Sequence, residues 1–197
     1  MTRSQFRLAI ADREVSVRHE IKAVLERAGH TITVCAADGQ SLTAGCLQTP
    51  PDLVIVEMDL GDMTGAAAVS LVRNKHDVPI IFSSSNCDEK SVEQAGACRA
   101  FTYLLKPIRV EEIEPMVYLA ITQHRQLLSL RSAVTLVQQQ LADRKVIERA
   151  KGVLMVRNKL SEQQAFSQLK RVARTGRLRM AEVARSLLLA EGLLNGI

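Results

Sequence analysis

Apolar and polar residues follow two rhythms over the first 120 positions. Phe6–Ala11 is a short apolar run and reads as a strand. Val17, Ile21, Val24, Leu25 and Ala28 follow at the spacing of one helix face, and Gly29 closes that helix. Thr31–Ala36 is β-branched and strand-like, and Asp38–Leu47 reads as a short helix. Pro50-Pro51 breaks the chain before Asp52–Glu57, a continuously apolar run of the kind that forms a strand buried on both faces. Gly61 and Gly65 mark a loop before a helix over Ala66–Asn74. Then come strand Val78–Ser84, helix Asp88–Ala95, strand Ala100–Leu105 and a helix from about Arg109. Strands alternating with helices at this spacing predict a doubly wound, parallel, five-stranded sheet.

The last of these helices does not stop. The pattern predicts one unbroken helix to Arg157, with Gly152 its only glycine. Apolar positions recur at Ile113, Val117, Ala120, His124, Leu127, Leu130, Val134, Val137 and Leu141, steps of three and four that resemble a heptad seam. Such a seam predicts dimerisation through residues 109–141. Residues 142–197 read as a three-helix bundle. Its first helix buries Val146, Ile147, Ala150, Val153 and Leu154. After a turn at Asn158–Leu160, Ser161 and Gln164 form a capping box. The second helix buries Ala165, Phe166, Leu169, Val172 and Ala173 and breaks at Thr175-Gly176; the third buries Met180, Val183, Ala184, Leu187 and Leu188.

Charge separates the two ends. Residues 142–197 hold 12 Lys/Arg against 5 Asp/Glu, whereas residues 1–141 hold 14 against 16. A basic tail behind a near-neutral front points to a polyanionic partner. With no Trp, two Tyr and four Phe, the chain is poorly equipped to stack bases on aromatic platforms. Hydrophobic residues make up 47% and charged residues 24%, which excludes wholesale disorder. No apolar run reaches the roughly 18 residues of a membrane span, and the apolar stretch near the N-terminus is too short for a signal peptide. Cys35, Cys46, Cys87 and Cys98 form no metal-binding spacing and suit small buried thiols in a reducing cytoplasm.

In an open α/β sheet ligands gather at the carboxyl ends of the strands. Those ends carry Asp12-Arg13-Glu14, Glu57, Ser84 and Lys106-Pro107. With PDLVIVEMDLGDMTG after the third strand and YLLKP at the fifth, residues 1–120 resemble the flavodoxin-like receiver domain of two-component response regulators. The resemblance implies that an acidic pair after strand one holds Mg²⁺ and an Asp at the end of strand three accepts a phosphoryl group. A Ser/Thr and a Lys bind the phosphate oxygens, an aromatic residue three before the Lys acts as a switch, and the Lys-Pro bond is cis. Asp12, Ser84, Tyr103 and Lys106 match. Arg13 replaces the second acid and Glu57 the acceptor. Arg13 removes a metal ligand and adds a cation. Glu57 is one methylene too long, and about 1 Å of misplacement can cost 100-fold in rate. The expectation is a pseudo-receiver with weak or absent Mg²⁺ binding and no other cofactor. Its Glu57 would reach Lys106 or Arg13, either as a permanent mimic of phosphate charge or as part of a buried ion cluster. A regulatory protein or ligand would then act at the receiver.

Residues Lys145–Arg174 resemble the ANTAR module of AmiR- and NasR-type antitermination regulators. Ala150-Lys151-Gly152 with Leu154-Met155, Ser161-Glu162 with Ala165-Phe166, and Leu169-Lys170-Arg171 carry the likeness. Ala173 stands where the family usually has Ser, and Arg177 where it often has Asn. The resemblance implies binding of paired stem-loops in nascent mRNA leaders. The candidate RNA-contacting residues are Lys145, Arg149, Lys151, Arg157, Lys159, Lys170, Arg171, Arg174, Arg177 and Arg179. Mid-helix Gly152 costs about 1 kcal/mol relative to Ala; close helix packing is the favoured reason, close approach of an RNA backbone the other. The expectation is a cytoplasmic, non-enzymatic regulator: a receiver over 1–120, a coiled-coil helix over 109–141 and an RNA-binding bundle over 142–197. A DNA-binding response regulator and a signalling adaptor are the alternatives.

Overall fold

The computed structural model describes residues 5–85, 93, 96, 98 and 100–194. The elements are β1 (Arg7–Ala11), α1 (Val15–Arg27), β2 (Thr31–Ala36), α2 (Gly39–Gln48), β3 (Leu53–Glu57), α3 (Gly65–Arg73), β4 (Ile80–Ser84), β5 (Thr102–Leu105), α4 (Val110–Asn158), α5 (Glu162–Gly176) and α6 (Met180–Leu194). The helix expected over 88–95 lies outside the described residues, apart from helical Glu93. The chain divides into two units, Met1–Leu128 and Ser129–Ile197.

In the first unit five parallel strands lie in the order β2-β1-β3-β4-β5. Two-residue alternation sends the central strands' side chains into two cores. Leu8, Ile10, Leu53, Ile55 and Ile81 pack with Ile21, Leu25, Ile113 and Val117 from α1 and α4. Ala9, Ala11, Val54, Val56 and Phe82 pack on the opposite face with Leu42, Cys46, Ala68, Val69 and Val72 from α2 and α3. Burial on both faces is why β3 reads as an unbroken apolar run. Cys46 is buried, which pushes its thiol up to about 12. Cys35 is exposed, against the expectation that it would be buried; Cys87 lies outside the described residues.

The long helix corrects two expectations. Pro115 lies inside it, a break signal that the reading of an uninterrupted helix passed over. Proline there removes one backbone bond near the helix start, and burial of Ile113 and Val117 on the sheet holds the turn in place. The seam also divides in two. Ile113, Val117, Ala120 and His124 are buried in the first unit, and His124 Nε2 lies 3.0 Å from the Asp77 carbonyl, edge-on to Phe101. These residues are core of the first unit rather than seam. From Leu127 through Leu130, Val134, Val137 and Leu141 the stripe is exposed.

In the second unit Ala150, Leu154, Ala165, Leu169 and Ala184 form the bundle core, closed by Val146, Ile147, Met180, Val183, Leu187 and Leu188. The capping box is formed, with the Gln164 amide donating to Ser161 Oγ and the Ser161 amide to Gln164 Oε1. Phe166 and Val172, expected inside, are 41% and 47% exposed, because the buried stripe of α5 runs through the small residues Ala165 and Ala173 and through Leu169. Val153, also expected inside, is half-buried at the edge of a groove.

Candidate functional site

Parallel strands bring their carboxyl ends to one edge of the sheet. Asp12 follows β1, Glu57 ends β3, Ser83 and Ser84 end β4, and Lys106 follows β5 directly and precedes a cis Lys106-Pro107 bond. Gly65 fixes the Glu57 end. Its amide donates to the Met58 carbonyl at 2.8 Å, and a Cβ there would sit 2.2 Å from the Glu57 carbonyl oxygen.

Lys106 is the hub of this edge. Its Nζ donates to Glu57 Oε1 at 2.7 Å, Asp12 Oδ1 at 2.9 Å and Glu14 Oε1 at 3.0 Å. The side chains of Lys106, Asp12 and Glu57 are 7%, 1% and 8% exposed, so the cluster is largely shielded from water. The other Glu57 oxygen accepts the Arg13 amide at 2.8 Å, with Arg13 Nε at 3.7 Å. The Arg13 guanidinium reaches on to Asp59, 3.4 Å away. Burial alone would lower the Lys106 ammonium, but its hydrogen bonds to Glu57, Asp12 and Glu14 outweigh that and hold it above the usual lysine value. Burial pushes Asp12 above the usual carboxylate value, with the Glu57 charge adding to the rise, against the lowering bonds from Lys106 and the Glu14 amide.

The sequence-predicted residues Asp12, Arg13, Glu57 and Lys106 therefore meet. Ser84 supplies its carbonyl to the Lys106 amide at 2.9 Å, and Tyr103 is half-buried against the core on the α2–α3 face. Two members were missed. Glu14 is the third Lys106 partner, and its place in the Asp12-Arg13-Glu14 run was the available signal. Ser83, not Ser84, donates its hydroxyl to Asp12 Oδ2, at 3.3 Å; no sequence feature distinguishes the two. Carboxylate oxygens of Asp12, Glu14 and Glu57 lie within 4.8 Å of one another. That donor set suits a hard cation in kind. Here all three bond the Lys106 ammonium, and Glu57 also accepts the Arg13 amide.

The basic residues of the second unit fall into two classes. Lys151 is buried, and its Nζ donates to Glu162 at 2.7 Å and lies 2.8 Å from Glu148. Those two bonds raise its pKa and clamp α4 to the start of α5. Arg157 pairs with Glu191 at 2.9 Å and Arg179 with Asp143 at 3.1 Å. Lys145, Arg149, Lys159, Lys170, Arg171, Arg174 and Arg177 are exposed and make no ion pair among the described residues. Four of this unit's five acids are thus ion-paired, Glu182 accepts the Arg179 amide, and with exposed Arg144 eight cations face solvent without an ion pair among the described residues. Gly152 is exposed, and a Cβ there would meet nothing within 4 Å, so the expected close packing is absent.

A model of the response regulator receiver domain matches residues 8–118, and one of the ANTAR domain matches residues 136–188. The transcriptional regulatory protein PdtaR of Mycobacterium tuberculosis is 31% identical over 182 residues, covering 92% of this chain and 89% of that protein. This chain belongs to the ANTAR-containing response regulators. The fold of its receiver unit is shared with solved structures. A signal receiver domain of a modulated diguanylate cyclase from Desulfovibrio desulfuricans G20 superposes with a TM-score of 0.59 at 20% identity, over 62% of this chain and 98% of that one. Vibrio cholerae CheY4 gives 0.55 at 22% identity, over 59% and 99%. No helix among the described residues of this ANTAR regulator is long and apolar enough to cross a membrane. Its departure at Arg177 has a physical meaning: the residue caps α5 in the left-handed region, at φ 52°. Asn tolerates that conformation better than Arg does. The Leu178 amide closes the turn onto the Ala173 carbonyl at 2.9 Å.

Proposed function

We propose that this ANTAR regulator is a cytoplasmic, non-enzymatic transcription antitermination protein that binds stem-loops in nascent mRNA leaders. The exposed, unpaired cations on a bundle in which four of the five acids are already paired carry this reading. Such a surface neutralises phosphates, and released counterions drive binding. The bundle over 142–197 is the RNA-binding unit, and the exposed seam within 109–141 joins two copies. If Arg174 contacts a phosphate, Arg174→Ala weakens binding to every RNA tested. It also reduces the slope of log affinity against log salt by about one. An unchanged slope removes Arg174 from the interface.

The front unit over 1–120 serves as a pseudo-receiver. Lys106 and Arg13 already hold Glu57, supplying internally the charge balance that a metal and a phosphoryl group would otherwise create. Magnesium binding is correspondingly weak or absent, and signals reach this unit through a regulatory protein or ligand. Incubation with acetyl phosphate and Mg²⁺ should leave residue 57 unmodified by mass spectrometry. A phosphoryl adduct on Glu57 would contradict the pseudo-receiver reading. Glu57→Asp alone should restore little labelling, because Arg13 still occupies the metal side.

A further inference from the structure

Nothing in its own chain requires Gly152 to be glycine. It is an exposed helix-interior residue, where glycine costs about 1 kcal/mol against alanine. Its φ is not positive, since the positive-φ glycines among the described residues are Gly29 and Gly61. A Cβ would meet open space. What a bare backbone provides at such a point is close approach from outside.

Gly152 lines an open groove between α4 and α6 of about 560 Å³, flanked by Arg149 and Arg157 and walled by Val153, Val156 and Leu188. A second groove of about 490 Å³ shares Arg149 and continues along α4 past Lys145. Lys145, Arg149 and Gly152 succeed one another at steps of four and three, so they share one helix face. The acids nearest this face are already engaged, Glu148 by Lys151 and Glu191 by Arg157. A second copy docked here about a twofold axis would bring Lys145 and Arg149 against their own counterparts. A polyanion meets complementary charge instead.

We infer that this groove takes the sugar-phosphate backbone of an RNA strand, with Gly152 as the point of closest approach. The inference rests on the RNA-binding reading above and adds to it the path of the strand. Arg149 and Lys145 flank the strand, and the exposed edge of Val156 offers an apolar contact to its sugars.

The test uses the full chain and an RNA pool carrying two stem-loops with randomised loops, from which the wild type selects one RNA as the probe. Gly152→Ala should raise the melting temperature by a few degrees while weakening binding of that RNA. Gly152→Gln, which projects a longer side chain into the path, should weaken it by at least about tenfold. Stability and affinity moving in opposite directions is a result that a merely structural glycine does not give. If both variants bind as the wild type does, while Arg174→Ala still weakens binding, the groove is not the strand path and the RNA reading stands. If the wild type selects no RNA from the pool, the RNA reading falls and this inference falls with it. If Gly152→Gln converts a dimer to monomers in sedimentation equilibrium, the groove is a contact between copies and the inference is wrong.

Discussion

Lys106→Ala should destabilise the receiver unit by about 3–5 kcal/mol, the usual cost of removing one partner from a buried ion cluster. The ammonium bonds two carboxylates that are themselves almost fully buried, Asp12 and Glu57. Without it they face each other with Arg13 beside Glu57, and with Arg18 donating to the Asp12 backbone carbonyl, as the remaining nearby cations among the described residues. Urea denaturation at neutral pH reads the loss. The pH dependence has a definite sign. The Lys106 pKa is raised on folding, so its stabilisation is complete below the unfolded value of 10.5 and fades as pH rises through the folded value. The Asp12 pKa is also raised, so ionising it costs stability as pH climbs above 3.8. Removing Lys106 enlarges that cost, and the variant's deficit should therefore shrink as pH falls toward 3.8. Magnesium should recover part of the variant's stability and leave the wild type unchanged, because the freed carboxylates then offer a hard-cation site. A variant as stable as the wild type would show that the cluster does not hold the strand ends.

Leu127→Lys combined with Val134→Lys should turn a dimer into monomers while leaving the front unit folded. Both residues are exposed, at 39% and 56%, whereas the part of the stripe that supports the sheet ends at His124. Two lysines at seam positions place like charges against each other across a parallel pair. A dimer that engages two stem-loops at once gains about 10²–10⁴-fold in avidity. The variant should lose most of that gain on a two-loop RNA and little on a single-loop RNA. Sedimentation equilibrium and fluorescence anisotropy measure the two effects. A variant that remains dimeric places the contact elsewhere.

The receiver sheet was readable because its central strands are buried on both faces, which writes β1, β3 and β4 as apolar runs and sets Asp12 and Glu57 at the ends of β1 and β3. The division of the long helix was not readable. Ile113–His124 and Leu127–Leu141 share one spacing, and only packing on the sheet separates core from free seam. Lys151 looks like any other member of a basic run until the fold brings Glu162 beside it. Phe166 and Val172 were misplaced for a related reason: small residues let α5 approach its neighbours, so Ala165 and Ala173 take the core positions that size alone would give to larger side chains. Ser83 and Ser84 differ only in the face each presents, and one residue of register decides which reaches Asp12.

The tail's choice of nucleic acid is tested most directly by competition: the full chain with a labelled stem-loop RNA, challenged with unlabelled promoter duplex at near-physiological salt. An A-form stem with an open loop presents splayed bases, and a B-form duplex presents a readable major groove. An RNA stem-loop reader should release its RNA to unlabelled RNA of the same sequence and keep it against every duplex at comparable concentration. Displacement by one specific DNA duplex at that concentration would contradict RNA recognition and make the bundle a DNA-binding unit.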